Sequence, residues 1–247
     1  MKSREKSQSV LTACLGKFGP IKFPYVNMGN IDSLHLFGLH TELAILAMYI
    51  ENRHRWKKVL DIGANLGLHS ICMARMGFTV RAYEPDFSHY QHLLENIKAN
   101  NMADKVSAQM AAVHTENGNM NFVRVLNNLT GNHLEGFKDS YGPTESVIVP
   151  VVDCRDLWPW ADFAKIDSEG NEAELVKTMT AEDLSHMQCV LEVRNEANAH
   201  TIYEHLNELE VPMWSQKIDW ERVTAFQDVP KANREGSLFV GHEGPWS

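Results

Sequence analysis

Three observations in the 247-residue chain predict an α/β fold, with a mostly parallel sheet and helices on both faces. Short apolar runs rich in Val, Ile and Phe alternate with segments of helical periodicity. Acidic, glycine-bearing turns follow two of those runs. No internal repeat or low-complexity tract breaks the alternation.

The elements follow in order. Residues 1–40 read as an irregular N-terminal extension, with Gly16, Gly19, Pro20, Pro24, Gly29 and Gly38 as breakers. Its expected role is part of a substrate site or an oligomer contact. The main domain is expected over 41–247. A helix is predicted from Thr41, a good N-cap, with Leu43, Leu46, Ala47 and Ile50 on one face. Strand 57–62 precedes a helix over 67–76 that Gly77 ends. Strand 79–84 leads into a helix over 87–100, where Phe87, Tyr90, Leu94 and Ile97 recur at helical spacing. A strand is predicted near 106–110. An insertion over 111–145 follows: a hairpin at 111–125 turning at Asn117-Gly118, then an aperiodic loop at 127–145. Strands at 146–152 and 163–167 come next. A helix then starts with Asn171 and Glu174 in capping-box spacing. Strand 188–193 precedes a helix carrying Ala199, Ile202, Tyr203, Leu206 and Leu209. Strand-like segments near 211–217, 222–226 and 237–241 finish the chain.

Composition excludes several classes. Hydrophobic residues are 44% and charged residues 22%, unlike a disordered or collagen-like chain. No apolar run reaches the roughly 18 residues of a membrane span. The start is read as lacking a signal peptide, so a cytoplasmic protein is expected. The net charge of −9 disfavours nucleic acid as a partner, because it repels phosphate. Cys14, Cys72, Cys154 and Cys189 are far apart and form no C-x-x-C pair, which fits reduced thiols.

In a parallel sheet of this kind, ligands lie beyond the carboxyl ends of the strands. That rule selects the candidate residues. The strongest motif is Val59-Leu60-Asp61-Ile62-Gly63-Ala64-Asn65-Leu66-Gly67, an apolar strand ending in an acidic, glycine-bearing turn that opens a helix. Its glycine spacing is not G-x-G-x-x-G, which argues against a nicotinamide dinucleotide. The second motif is Tyr83-Glu84-Pro85-Asp86. A carboxylate at Glu84 suits vicinal ribose hydroxyls. The third is Lys165-Ile166-Asp167-Ser168-Glu169-Gly170, and the fourth is Glu192, in the apolar run Cys189–Val193. Glu172 and Glu174 are read as first-turn helix carboxylates.

DIGANLGLHS, AYEPD, FAKIDSEGNE and VLEVRNE, in that order, resemble the class I S-adenosylmethionine-dependent methyltransferases, and within them the FkbM-type family. The resemblance runs from about Leu36 to Glu192, with an echo at 237–240. It implies a Rossmann-like class I methyltransferase fold, a seven-stranded sheet with a reversed last strand, and S-adenosylmethionine as methyl donor. Carried over by position, Asp61, Gly63, Ala64, Asn65 and Gly67 surround the methionine part. Glu84 and Pro85 meet the ribose, and Met110–Ala112 lies near the adenine. Asp167 borders the donor as well. Ser168 stands where the family usually has a hydrophobic residue.

The implied chemistry is O-methylation of a small-molecule acceptor, a sugar or natural product. Asp167 is the first candidate for base or orienting group, with Lys165 and Glu192 behind it. His69 is weighed as a base and is more readily a packing residue. In the loop, Asn128, Thr130, Asn132 and His133 are candidate acceptor contacts under a lid. A divalent metal is weighed at Asp167, Glu192 and Asn195, and none is assigned. His89 and His92 are placed on a polar helix face, and His200 and His205 are poorly spaced for shared ligation. Competing readings are an RNA or protein methyltransferase, a nucleotide-dependent oxidoreductase and a cofactor-binding, non-catalytic homologue. The acceptor atom and the oligomeric state stay open.

Overall fold

A computed structural model describes residues 10–14, 16–24, 40–126, 131–137, 139 and 142–246. The chain runs β1 (Val10–Cys14), β2 (Pro20–Pro24), α1 (His40–Glu51), β3 (Lys58–Ile62), α2 (Leu68–Arg75), β4 (Thr79–Tyr83), α3 (Phe87–Ala99) and β5 (Val106–Gln109). Then come β6 (Ala112–His114), β7 (Gly118–Val125), β8 (His133–Leu134), β9 (Thr144–Asp153), β10 (Phe163–Ile166), α4 (Glu172–Lys177), α5 (Ala181–His186) and β11 (Gln188–Glu192). It ends with α6 (Glu196–Glu208), β12 (Met213–Ser215), β13 (Glu221–Arg222) and β14 (Ser237–Val240).

The main sheet has eight strands in the order β13-β12-β14-β11-β10-β3-β4-β5. From β11 to β5 every neighbour is parallel, and β14 runs against both β11 and β12. The α/β class, the mostly parallel sheet and the reversed last strand are therefore present. The expected count of seven is exceeded by β13, a two-residue edge strand paired to β12.

Strand alternation sorts side chains between two apolar layers. Leu60, Ile62, Ala164, Ile166, Cys189 and Leu191 face one layer, against α4, α5 and α6. Val59, Phe163 and Val190 face the other, against α1, α2 and α3. The same period of two carries Asp61, Lys165, Asp167 and Glu192 to the second layer's side, at the carboxyl end of the sheet. Register finishes the placement, because Lys165 lies directly beside Asp61 on the neighbouring strand. Trp56 stacks on Phe163 with ring centroids 3.9 Å apart and fixes the opposite end of this layer.

Several expectations are corrected. The N-terminal segment is not wholly irregular: β1 and β2 form an antiparallel hairpin. Phe18, Ile21 and Phe23 bury its side chains in the second layer, and Lys22 exchanges two backbone bonds with the Asn100 side chain. The first helix begins at His40, so Thr41 lies inside it. Its buried residues are Ile45, Leu46, Met48 and Tyr49, while Leu43 is exposed. The 111–125 hairpin does not form. β9 lies between β6 and β7, pairing parallel with one and antiparallel with the other. Asn117 binds the Asp153 amide and the Asp156 carboxylate instead of joining two paired strands. Asn171 makes no capping bond at α4; its amide donates to the Val113 carbonyl and its oxygen accepts from His114. The helix α5 was not anticipated. The 222–226 strand shrinks to Glu221–Arg222. Part of the expected loop at 127–145 is strand, as β8 and the start of β9.

Cys72, Cys154 and Cys189 are buried free thiols. Among the described residues, no helix is long and apolar enough to cross a membrane.

Candidate functional site

The turn after β3 is set by glycine. Gly63 has φ +74°, and a Cβ there would stand 1.8 Å from the Asp167 carbonyl oxygen. Gly67 has φ +88°, and its Cβ would strike Leu93 on α3 at 2.4 Å. Only a residue without a side chain lets the turn touch β10's exit and α2 sit against α3. Asn65 takes the left-handed conformation between them, at φ 50°.

Glu84, at the end of β4, clamps this turn. One carboxylate oxygen accepts from the Asn65 amide at 2.8 Å, and the other accepts from the Asp86 amide at 2.9 Å. Asp86 caps α3 through the Ser88 and His89 amides. It also accepts from Arg124 Nε at 2.7 Å and from the Asn132 amide at 3.1 Å. Pairing with His89 and Arg124 outweighs burial and holds the Asp86 carboxyl below the ordinary range.

These elements wall a cleft of about 600 Å³. Gly63, Asn65, Glu84, Pro85 and Ala112 line it, with Asp167 and Ser168 opposite. Tyr83, Phe122, Val113 and Leu134 give it apolar sides. Two buried polar atoms on its wall, Asn65 Oδ1 and His89 Nε2, have no hydrogen-bond partner among the described residues.

A second space of about 410 Å³ lies on the other side of the turn, against Ala64, Asn65, His69, Glu42, Lys165 and Asp167. A third, of about 390 Å³, is bounded by Glu42, Lys165, Asp167, Glu192, Asn233 and Ser237. Asp167 belongs to all three.

Charge concentrates where they meet. Lys165 Nζ lies 3.4 Å from Asp167 Oδ2 and 3.6 Å from Asp61 Oδ1, and donates to the Gly63 carbonyl at 3.2 Å. Burial works against its charge, but Asp167, Asp61 and Glu42 outweigh it and raise the Lys165 ammonium above its ordinary value. Glu42 accepts from His69 Nε2 at 2.6 Å, while the other ring nitrogen meets the Tyr49 hydroxyl at 2.8 Å. Burial tends to raise the Glu42 carboxyl, yet pairing with His69 and the Lys165 charge leave it lowered. Glu192 moves the other way. Burial, with Asp167 and Glu172 nearby, raises its carboxyl although Arg194 lies 3.5 Å away. Arg194 also pairs with Glu169.

The sequence-selected residues thus divide. Gly63, Ala64, Asn65, Glu84, Pro85, Ala112, Asp167, Lys165 and Glu192 all face one of the three spaces. Asp61 does not. It is fully buried, accepts from the Ser70 hydroxyl at 2.5 Å and sits behind Lys165, where it positions the lysine. Gly67 acts by close packing. Glu172 lies in the first turn of α4, as expected, and is also buried, accepting from the Ser168 and Gly170 amides and so cinching the second turn. Glu174 is the exposed one, paired to Lys177. His89 is not on a polar face; it is 3% exposed. Asn132 reaches the cleft and His133 is buried, whereas Asn128 and Thr130 lie outside the described residues. Asn195 caps α6 through the Asn198 amide. Among the described residues, no group of three or more His, Cys, Asp or Glu is placed to hold a metal ion.

Sequence reasoning missed Glu42, Asn171 and Asn233. Glu42 offered one faint signal, an acid in the first turn of an otherwise apolar helix.

No protein-family model matches the sequence, and no curated protein does. Solved structures with a similar course include a precorrin-6y C5,15-methyltransferase from Geobacter metallireducens GS-15, at 14% identity over 81% of this chain and 85% of that one, TM-score 0.42. A methyltransferase FkbM from Methylobacillus flagellatus KT matches at 14% identity over 74% of this chain and 43% of that one, TM-score 0.42. A ribosomal protein L11 methylase from Lactobacillus delbrueckii subsp. bulgaricus matches at 17% identity over 83% and 80%, TM-score 0.44. At these values the likeness is one of general architecture, and function is read from the site.

Proposed function

We propose that the chain is an S-adenosylmethionine-dependent methyltransferase of FkbM type that methylates a hydroxyl of a small molecule. One observation carries the reading. A glycine turn locked by the Glu84 carboxylate opens on one side to an apolar-walled cleft and on the other to an acidic junction. A nucleoside suits the first side, and a cationic amino-acid tail with a sulfonium suits the second.

The residues present fit such a donor. The cleft offers unpartnered Asn65 Oδ1 and His89 Nε2 to a polar sugar and base. Glu84 spends one lone pair of each oxygen on the backbone and keeps another for a ribose hydroxyl. Ala112, Val113 and Phe122 offer the flat apolar surface that an adenine needs. Glu42 suits an ammonium. When bound, S-adenosylmethionine supplies a methyl group on a positively charged sulfur, already activated for in-line displacement.

The chain's own contribution is then positioning. Asp167, where the three spaces meet, orients the acceptor hydroxyl and receives its proton at a carboxylate oxygen. Lys165 fixes that carboxylate from behind. Glu192 borders the same space as Asp167 and orients the acceptor there. The third space has room for a small molecule, and its carboxylates disfavour a phosphate-bearing partner. This supports a sugar or natural product over RNA. The buried free thiols and the net charge suit a cytoplasmic setting.

Calorimetry tests the reading. Wild-type protein is expected to bind S-adenosylmethionine and not NAD, and Glu84→Ala to weaken donor binding by at least tenfold, the order of a lost charged hydrogen bond. Binding of NAD in preference, or of neither, overturns it. Mass spectrometry of acceptor mixtures then reads the methylated class.

A further inference from the structure

His89 is a buried polar side chain offered to the donor above without a particular partner. It stands on the first turn of α3, 3% exposed, and lines the wall of the 600 Å³ cleft. Its Nδ1 lies 3.7 Å from Glu84 Oε1. A carboxylate only accepts, so it draws the proton to Nδ1. The opposite nitrogen, Nε2, is buried without a hydrogen-bond partner among the described residues. An orphaned ring nitrogen is costly in a folded interior unless a ligand completes it. The charged groups around the ring are Glu84 after β4, Asp86 at the helix cap and Arg124 from β7. Asp86 is already committed to Arg124, Asn132 and two amides, so it does not turn to satisfy His89.

We propose that His89 Nε2 is a second sugar contact of this site, binding a ribose hydroxyl of the nucleoside whose other hydroxyl meets Glu84. The inference rests on the donor assignment made above. A hydroxyl is the partner of choice because it both donates and accepts. It satisfies Nε2 whether the ring is neutral, with Nε2 as acceptor, or charged, with Nε2 as donor. Glu84 and His89 then grip the sugar as a pair, one anchored to the glycine turn and the other to α3. The same pairing ties α3 to ligand binding: the contact reaches the cleft only if Asp86 holds the helix start in place.

The test uses the full chain and S-adenosylhomocysteine, with its 2′-deoxy and 3′-deoxy forms as probes. Wild-type protein is expected to bind the parent compound and to lose about 10- to 100-fold with one of the deoxy forms beyond the loss due to Glu84. His89→Phe keeps an aromatic ring, slightly larger than imidazole, and removes both nitrogens. It is expected to weaken the parent compound by a similar factor, and the critical deoxy form is expected to cost His89→Phe no further affinity. Failure of wild-type protein to bind the parent compound overturns the donor assignment. Normal binding by wild type with unchanged affinity in His89→Phe overturns the His89 contact alone. Should His89→Phe not fold, the two deoxy titrations on wild-type and Glu84→Gln protein decide it. If every hydroxyl-dependent loss vanishes in Glu84→Gln, His89 makes no contact.

Discussion

The turns after β3 and β10 face each other at the carboxyl end of one sheet, share a backbone plan and differ in charge. The first, from Gly63 to Gly67, is nearly free of charge. Two glycines, a left-handed Asn65 and the Asn65 amide held by Glu84 define it. The second, from Asp167 to Glu172, repeats the plan with a left-handed Glu169, Gly170 and amides held by Glu172, and adds ions. Lys165, Asp167, Glu169 and Glu172 crowd it, with Glu192 and Arg194 alongside. On the proposed function, the donor, the same compound in every turnover and released spent each time, is met by fixed geometry. The proton of the acceptor hydroxyl is then met by carboxyls whose proton affinities the interior has pushed apart.

Four experiments break or sharpen this contrast. Gly63→Ala should have the largest effect, because the new methyl lands on the Asp167 carbonyl and no side chain is available to yield. A stability loss of about 2–4 kcal/mol by urea denaturation is expected, with donor binding abolished. A variant as stable as wild type shows that the first turn is not held by geometry. Lys165→Met comes next. It strands the buried Asp61 carboxylate, and about 3 kcal/mol of stability should go with it. Loss of turnover at unchanged stability assigns the lysine to chemistry instead of to support. Asp167→Asn sharpens the division of labour. Methyl transfer should fall at least 100-fold, a general base's usual contribution, while calorimetry finds donor affinity within about threefold. Equal losses in both place Asp167 with the donor.

The smallest effect concerns pH. Burial raises Glu172 to about 7, against the opposing pull of its amide bonds. The folded chain therefore holds a proton that the unfolded chain releases near 4.5. Stability should fall as pH climbs from that value through about 7. Glu172→Gln should flatten the decline by about 2–4 °C in Tm, the equivalent of about 1 kcal/mol at this size. Parallel wild-type and variant profiles rule Glu172 out as the cause.

The same contrast explains what was readable in the primary sequence. The alternation of β3, β4, β10 and β11 with helices was legible because each strand is a short apolar run. Glu84 and the glycine turn were legible because local geometry demands those residues at that spacing. The pairing of Asp61 with Lys165 was not legible, because it depends on the register of β3 against β10. The β6–β9–β7 arrangement was not legible, since a parallel pairing thirty-odd residues away overrode the local Asn117-Gly118 signal. Nor were Glu42 and His89, whose roles come from α1 and α3 docking onto the sheet.

The contact between the Gly63 backbone and the Asp167 carbonyl has a consequence for how such a chain diversifies. Two surfaces pressed together at van der Waals range cannot be retuned separately. Under the proposed function, change in the acceptor taken should therefore accumulate on α1 and on the stretch from Asn233 to Ser237, which border the third space. The two abutting turns would be inherited as a single piece.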